Sequence, residues 1–166
     1  AGKPTRSFMG MQLAHLGIAV FVIGITMVGG YQEEKDVRMS AGDTVSVGGY
    51  DIQLQSVAEV PGPNYKAMRG TFLLTKNGAT EATLYPEKRS YFSSTMPMTE
   101  AAIDAGLTRD IYVSLGEELE DKAWAVRVYY KPFVDWIWGG CLLMALGGIL
   151  AMSDKRYRMK LKKVAA

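Results

Sequence analysis

The chain has 166 residues, of which 48% are hydrophobic, and its mean hydropathy of +0.01 averages two strongly apolar segments with a polar middle. The net charge of +2 is also an average, because both ends are basic while acidic residues outnumber basic ones in the middle. One cysteine and one histidine exclude a disulfide framework and a Cys/His metal cluster. The sequence shows no phosphate loop, no Ser-His-Asp arrangement and no paired catalytic carboxylates, and its charge pattern does not predict nucleic-acid binding.

The first apolar segment, residues 8–30, contains no Asp, Glu, Lys or Arg. An α-helix rises about 1.5 Å per residue, so a helix of this length crosses the roughly 30 Å hydrocarbon core of a bilayer. The second apolar segment, residues 133–152, has Trp136 and Trp138 near its start. Indole side chains favour the headgroup level of a membrane. We therefore predict two transmembrane helices.

Basic residues near the two ends predict the orientation of these helices. Lys3 and Arg6 precede the first helix, and six Lys or Arg residues follow the second. Lys and Arg concentrate in short segments on the cytoplasmic side of a membrane. We therefore predict that residues 1–7 and 153–166 are cytoplasmic, and that residues 31–132 form a periplasmic domain of a bacterial inner-membrane protein. The basic tail would bind anionic lipid headgroups.

The middle of the chain has the pattern of a β domain. Apolar and polar residues alternate, and Asn77-Gly78 is the strongest short hairpin signal. About six strands are predicted, at residues 44–47, 50–57, 65–76, 80–85, 109–115 and 123–130. The predicted fold is therefore an α + β membrane protein, with two transmembrane helices flanking a small antiparallel barrel or sandwich, an OB-like barrel being one form of it.

Two segments of this domain allow more than one interpretation. Residues 87–92 are charged and aromatic, which is typical of an edge strand protected by charge or of a surface that contacts a partner. Residues 98–106 fit a helical turn or an irregular strand. The acidic residues between Glu117 and Asp121 are interpreted as a solvated loop.

His15 is the residue in the first apolar segment with the most specific chemistry. An ionisable group inside a membrane is a candidate functional site. The position of His15 is compatible with a packed or hydrogen-bonded side chain, an axial ligand of haem iron, or a proton-relay group. Gly10, Ala14 and Gly17 form a stripe of small residues that would let a helix or a flat cofactor approach, and we expect His15 near the edge of this stripe.

Several short motifs, spread in order over almost the whole chain, resemble the C-terminal end of the cytochrome c-type biogenesis protein CcmF family. They are residues 14–17, 34–39, 62–64, 87–89, 98–104, 110–112, 123–127 and 130–138. No single motif is specific, but the set is.

The resemblance implies that the chain corresponds to about the last quarter of a haem lyase subunit that acts in c-type cytochrome maturation. It implies that His15 is one axial ligand of a transmembrane b-type haem, with the second histidine on a helix outside this chain. The implied partners are the rest of the CcmF polypeptide or split subunits, a CcmH-type apocytochrome-handling subunit, the haem chaperone CcmE and apocytochrome c. We expect a piece of a longer protein or a natural split subunit, inactive as a lyase by itself.

Overall fold

The computed structural model describes residues 4–155, which divide into two units. Residues 4–30 and 133–155 form a helical unit, and residues 31–132 form a β unit. The predicted terminal segments therefore lie mostly outside the described residues, including Lys3 and the basic tail from residue 156 onwards.

The helical unit consists of α1 (Arg6–Tyr31) and α2 (Val134–Met152), and both helices are long and apolar enough to cross a bilayer. α1 extends beyond the predicted segment 8–30 by two residues at its start and by one at its end. α2 begins after Phe133, whose backbone is left-handed with φ of 57°. Near the start of α1, the main-chain N–H of Ser7 donates to a carboxylate oxygen of Asp154 at 2.9 Å, which gives this N–H of the first turn an acceptor.

The two helices pack through glycines spaced seven residues apart. A Cβ atom added to Gly17 would lie 2.7 Å from the carbonyl oxygen of Gly140, so only hydrogen fits between the two backbones. This glycine seam consists of Gly10, Gly17, Gly24, Gly140 and Gly147, all of which are buried. The small-residue stripe predicted on α1 is therefore occupied by α2.

The β unit contains ten strands, all paired antiparallel. They are β1 (Glu33–Met39), β2 (Thr44–Val47), β3 (Tyr50–Pro61), β4 (Tyr65–Lys76), β5 (Ala79–Leu84), β6 (Glu87–Tyr91), β7 (Met98–Glu100), β8 (Ala102–Gly106), β9 (Arg109–Glu118) and β10 (Trp124–Pro132). One sheet has the order β1-β10-β9-β8. The other has the order β2-β3-β4-β6-β7, with β5 also paired to β4.

The hydrophobic core contains inward-facing side chains from strands of both sheets. Ile52 and Phe72 come from the six-stranded sheet, and Ile111 and Val128 come from the four-stranded sheet; each is 0% exposed. Because side chains alternate between faces along a strand, the intervening polar residues point outwards. The two open sheets make a sandwich, so the barrel and its OB-like form were the wrong alternatives.

Three segments were missed, left open or misassigned in the sequence analysis. The charged residues of β1 form a strand, which sequence alternation did not reveal because only Val37 and Met39 face the core. Residues 98–106 form two short strands with no helical turn. β6 is not an edge strand, since it pairs with β4 on one side and with β7 on the other.

Candidate functional site

His15 lies on α1 with its ring exposed, and its Nδ1 atom is 2.7 Å from the carbonyl oxygen of Met11. A carbonyl oxygen only accepts, so Nδ1 must carry the proton and donate. In the neutral ring, Nε2 then holds a free lone pair. This is the tautomer that a metal-ligating histidine needs, with the other ring nitrogen oriented by a backbone carbonyl.

The ring points away from the glycine seam. His15 lies two residues before Gly17, and a helix turns about 100° per residue, so the His15 side chain projects about 160° around α1 from the direction of the Gly17 Cα atom. The expectation that His15 lies near the edge of the small-residue stripe is therefore wrong. The neighbouring side chains on this face, Met11 and Ile18, are also exposed, at 45% and 48%. The face around His15 is thus open to further helices or to a cofactor.

The donor set fits one axial ligand of haem. A neutral imidazole with a free Nε2 can bind haem iron. In the described part of the chain there is no group of three His, Cys, Asp or Glu side chains that could hold a metal ion. His15 is the only histidine of the 166 residues, so a second imidazole ligand would have to come from outside this chain.

The charged segment 87–92, expected as an edge or a contact surface, is largely engaged within its own sheet. Glu87 is 5% exposed, and its carboxylate accepts hydrogen bonds from Arg69 at 2.6 Å and from Arg89 at 2.8 Å. Burial opposes the charged form, but the hydrogen bonds from Arg89 and Arg69 outweigh it and hold the pKa of Glu87 below its usual range. Arg89 also reaches Glu100 and lies over the ring of Tyr65. Only Phe92, 71% exposed, remains as an apolar contact group.

A second group of charged and aromatic residues lies on the outer face of the four-stranded sheet, where the sequence analysis did not look for a site. Arg127 makes a two-pronged contact with Asp36, at 2.6 and 2.8 Å. The hydrogen bond from Arg127 lowers the pKa of Asp36 and raises that of Arg127. The rings of Tyr112 and Tyr129 pack edge to face at 5.4 Å between centroids. The signal available in the sequence was that these residues occupy outward positions on adjacent strands. Recognising that signal requires knowing which strands pair.

The fold defines a membrane protein in which two apolar helices flank an antiparallel β-sandwich. Residues 30–132 match the family model described as the CcmF C-terminal beta-sandwich. The chain is 56% identical to the cytochrome c-type biogenesis protein CcmF of Pseudomonas aeruginosa over 158 residues, which cover 95% of this chain and 24% of that protein. It is 52% identical to CcmF of Escherichia coli, with the same coverage.

A solved structure of the cytochrome c heme lyase CcmF has the same fold, with a TM-score of 0.72 and 19% identity over 89% of this chain and 25% of that one. The chain therefore belongs to the CcmF family, which confirms the family resemblance identified in the sequence. It spans about a quarter of the length of the relatives it matches.

Proposed function

We propose that this chain is the C-terminal portion of a haem lyase subunit in c-type cytochrome maturation. Its relatives are cytochrome c-type biogenesis proteins, and it matches 24% of their length. On this proposal the other polypeptide segments supply the rest of the lyase, and this portion contributes a haem ligand and a domain for complex assembly or haem handling. The partners would be the rest of the CcmF polypeptide or its split subunits, a CcmH-type subunit, the haem chaperone CcmE and apocytochrome c.

The observation that carries the haem proposal is the geometry of His15. Its Nδ1–H is held by the carbonyl of Met11 at 2.7 Å, which leaves Nε2 free on the face of α1 that does not pack against α2. His15 would hold one axial position of a b-type haem, and a histidine outside this chain would hold the other. Such a haem supplies one-electron chemistry when bound, while the carbonyl of Met11 fixes the tautomer of its ligand.

The proposed orientation places both termini in the cytoplasm and the sandwich in the periplasm of a bacterial inner membrane. Arg6 lies at the start of α1 and Lys155 follows α2, on the two segments that a positive-inside arrangement would keep cytoplasmic. The sandwich lies between the helices in the chain, so it would face the opposite side. Labelling of single cysteines in intact cells, at exposed Thr99 and at Lys155, would test this orientation.

The experiment for the haem ligand is a reduced-minus-oxidised absorbance spectrum of the chain assembled with the remaining lyase polypeptide in detergent. We expect a b-type signal that is lost in His15→Ala and recovered when imidazole is added, because free imidazole can fill the vacated axial position. Gln12→Ala is the matched control, since Gln12 is also exposed on α1, one turn earlier. It should keep the signal.

A b-type signal that persists unchanged in His15→Ala would refute the ligand assignment. The chain would then be a membrane-anchored β domain with a structural or partner-binding role. A signal that disappears equally in Gln12→Ala would show that the helix, and not the imidazole, is what the haem requires.

A further inference from the structure

Both connections between the β unit and the apolar helices are one residue long. Gln32 separates α1 from β1, and Phe133 separates β10 from α2. A residue spans at most about 3.6 Å, so the first residue of β1 and the last residue of β10 lie close to the membrane surface when the helices cross a bilayer. Trp136 and Trp138 fall within the first five residues of α2. Indole rings favour the headgroup level, which therefore lies within about 6 Å of helix rise from the start of α2.

The β8–β9 turn lies at the same end of the sandwich as these connections. The turn consists of Leu107 and Thr108, and the residues that flank it, Gly106 and Arg109, pair with each other. Arg109 also pairs with Pro132, the last residue of β10. Leu107 therefore lies one residue beyond the register position from which the chain continues into Phe133 and α2.

Side-chain contacts place two more hairpin turns at this end. The carboxylate of Glu33, the first residue of β1, accepts a hydrogen bond from the N–H of Gly48 in the β2–β3 turn at 3.0 Å. The hydroxyl of Tyr50 accepts hydrogen bonds from Arg109 at 3.0 Å and from Lys76, which precedes the β4–β5 turn, at 3.2 Å. We name this end of the sandwich the junction rim, and it consists of the turns 48–49, 77–78 and 107–108 with Lys76, Lys131 and Pro132.

Leu107 is an exposed apolar side chain at the tip of the junction rim. It is 78% exposed. An aliphatic side chain in water loses the stabilisation that burial would give it. The boundary between the headgroups and the acyl chains of a bilayer can bury such a group without any protein partner.

The charged groups near the junction rim differ in whether they have a partner. The carboxylates of Glu33 and Asp110 accept hydrogen bonds from main-chain N–H groups of the β unit, and Asp104 forms a salt bridge with an arginine of β9. Among the described residues, no carboxylate forms a salt bridge with Lys76 or Lys131. The ammonium groups of these two lysines are therefore available to the phosphates of lipid headgroups.

We propose that the junction rim rests on the lipid surface, with the Leu107 side chain inserted between the headgroups and the acyl chains, and with Lys76 and Lys131 on lipid phosphates. The sandwich is then held on the membrane by this turn as well as by its two chain connections. The inference goes beyond the proposed function, involves neither His15 nor haem, and applies to either orientation of the chain across the membrane. The haem spectrum and the measurement below can therefore fail independently.

The test measures where a fluorophore at position 107 lies. Leu107→Cys in a Cys141→Ser background is labelled with a nitrobenzoxadiazole group and then assembled with the remaining lyase polypeptide. The nanodiscs contain phosphatidylcholine and phosphatidylglycerol, with or without a lipid that carries a doxyl quencher near the top of its acyl chain. Iodide in the buffer is the quencher in water.

Met96→Cys is the matched control, because Met96 is 77% exposed, almost the same as Leu107. It lies in the loop between β6 and β7, at the end of the sandwich where Tyr91 pairs with Tyr65. Tyr65 and Lys76 are the two ends of β4, which are about 36 Å apart at the rise of an extended strand. The two labels are therefore placed at opposite ends of the sandwich.

We expect the doxyl lipid to quench the label at 107 at least about twofold more than the label at 96, and iodide to show the reverse preference, since an inserted group lies roughly 5–10 Å into the headgroup region. Equal iodide quenching of the two labels would mean that Leu107 is in water and would overturn the proposal. Protection of the label at 107 from both quenchers would show that polypeptide covers it, which would also overturn the proposal. Equal doxyl quenching at both positions would refute contact through the junction rim alone.

The lysine contacts are tested by charge reversal in the chain labelled at position 107. Lys76→Glu/Lys131→Glu should raise iodide quenching by about twofold or more, because carboxylates repel lipid phosphates. Lys66→Glu/Lys122→Glu is the matched control at two exposed lysines, one near the start of β4 and one after the end of β9, and it should leave the quenching unchanged. Circular dichroism checks that both variants are folded. Equal quenching in the two folded variants would overturn the phosphate contacts.

Discussion

The ion cluster around Glu87 allows a quantitative prediction of stability for Glu87→Gln. Glu87 is 5% exposed, and its carboxylate accepts charged hydrogen bonds from Arg69 at 2.6 Å and from Arg89 at 2.8 Å. Hydrogen bonds to charged groups contribute roughly 1.5–3 kcal/mol each. The two arginine side chains are 41% and 26% exposed, so water recovers part of that loss. We expect the free energy of unfolding to fall by about 2 kcal/mol.

The assay is denaturant unfolding of the full chain in detergent, in a background where Trp136 and Trp138 are phenylalanine. Trp124, 6% exposed in the core of the sandwich, then supplies the fluorescence signal. Glu59→Gln is the matched control. Its partner Lys66 is 3.5 Å away, and the side chains of Glu59 and Lys66 are 59% and 66% exposed. The free energy of unfolding should therefore fall by less than about 0.5 kcal/mol in Glu59→Gln.

The pH dependence gives the prediction a second readout. The pKa of Glu87 is lowered on folding, so its stabilising effect is complete above the unfolded value of about 4.3 and disappears as the pH falls through the folded value. The difference between the wild type and Glu87→Gln should therefore shrink in acid. The reasoning would be refuted if Glu87→Gln and Glu59→Gln lowered the free energy of unfolding equally. It would also be refuted if the difference in this free energy between the wild type and Glu87→Gln were the same at neutral pH and at about pH 3.

Two further predictions concern the cores of the two units. Phe72→Ala should lower the free energy of unfolding of the sandwich by about 3–5 kcal/mol, because Phe72 is 0% exposed. Phe92 is 71% exposed, so Phe92→Ala should change this free energy by less than about 0.5 kcal/mol in the same assay. Gly17→Leu should separate α1 from α2, since even a Cβ atom would lie 2.7 Å from the Gly140 carbonyl oxygen. A Cβ atom added to Gly148 meets nothing within 4 Å, so Gly148→Leu should leave the helices together. Distances between spin labels, one on each helix, would distinguish the two variants, and a Gly17→Leu protein with an unchanged distance would contradict the packing.

Local sequence patterns were sufficient to predict the two helices and most of the central strands. A long run of apolar residues specifies a membrane helix by its composition alone. β4 was predicted at its observed bounds, Tyr65–Lys76, because alternation is clear along its length and Asn77-Gly78 encodes its turn. The same local information gave the antiparallel β domain but left the barrel and the sandwich undecided.

Local sequence patterns were not sufficient where the conformation of a strand, or its position in the sheet, depends on the neighbouring strands. β1 is rich in charge, and its strand conformation is supported by pairing with β10. β6 contains charged residues typical of an edge, yet β7 covers it and Arg69 from β4 supplies a counter-charge for Glu87. Cross-strand pairs of this kind join residues that are distant in the chain, so no local pattern encodes them.

The sequence by itself determined the apolar helices and the β character of the middle, because composition and periodicity are local properties. It also marked His15 as a candidate functional site, and the family resemblance implied that this site is a haem ligand. Only the tertiary structure decided that α2 packs against the glycine face of α1 and leaves the His15 face uncovered, since this packing depends on the glycines of both helices. It also decided that the chain forms a two-sheet sandwich and that three hairpin turns lie at the end where the β unit joins the helices. Both features depend on the lengths and pairing of separate strands, which are fixed only when the whole domain is assembled.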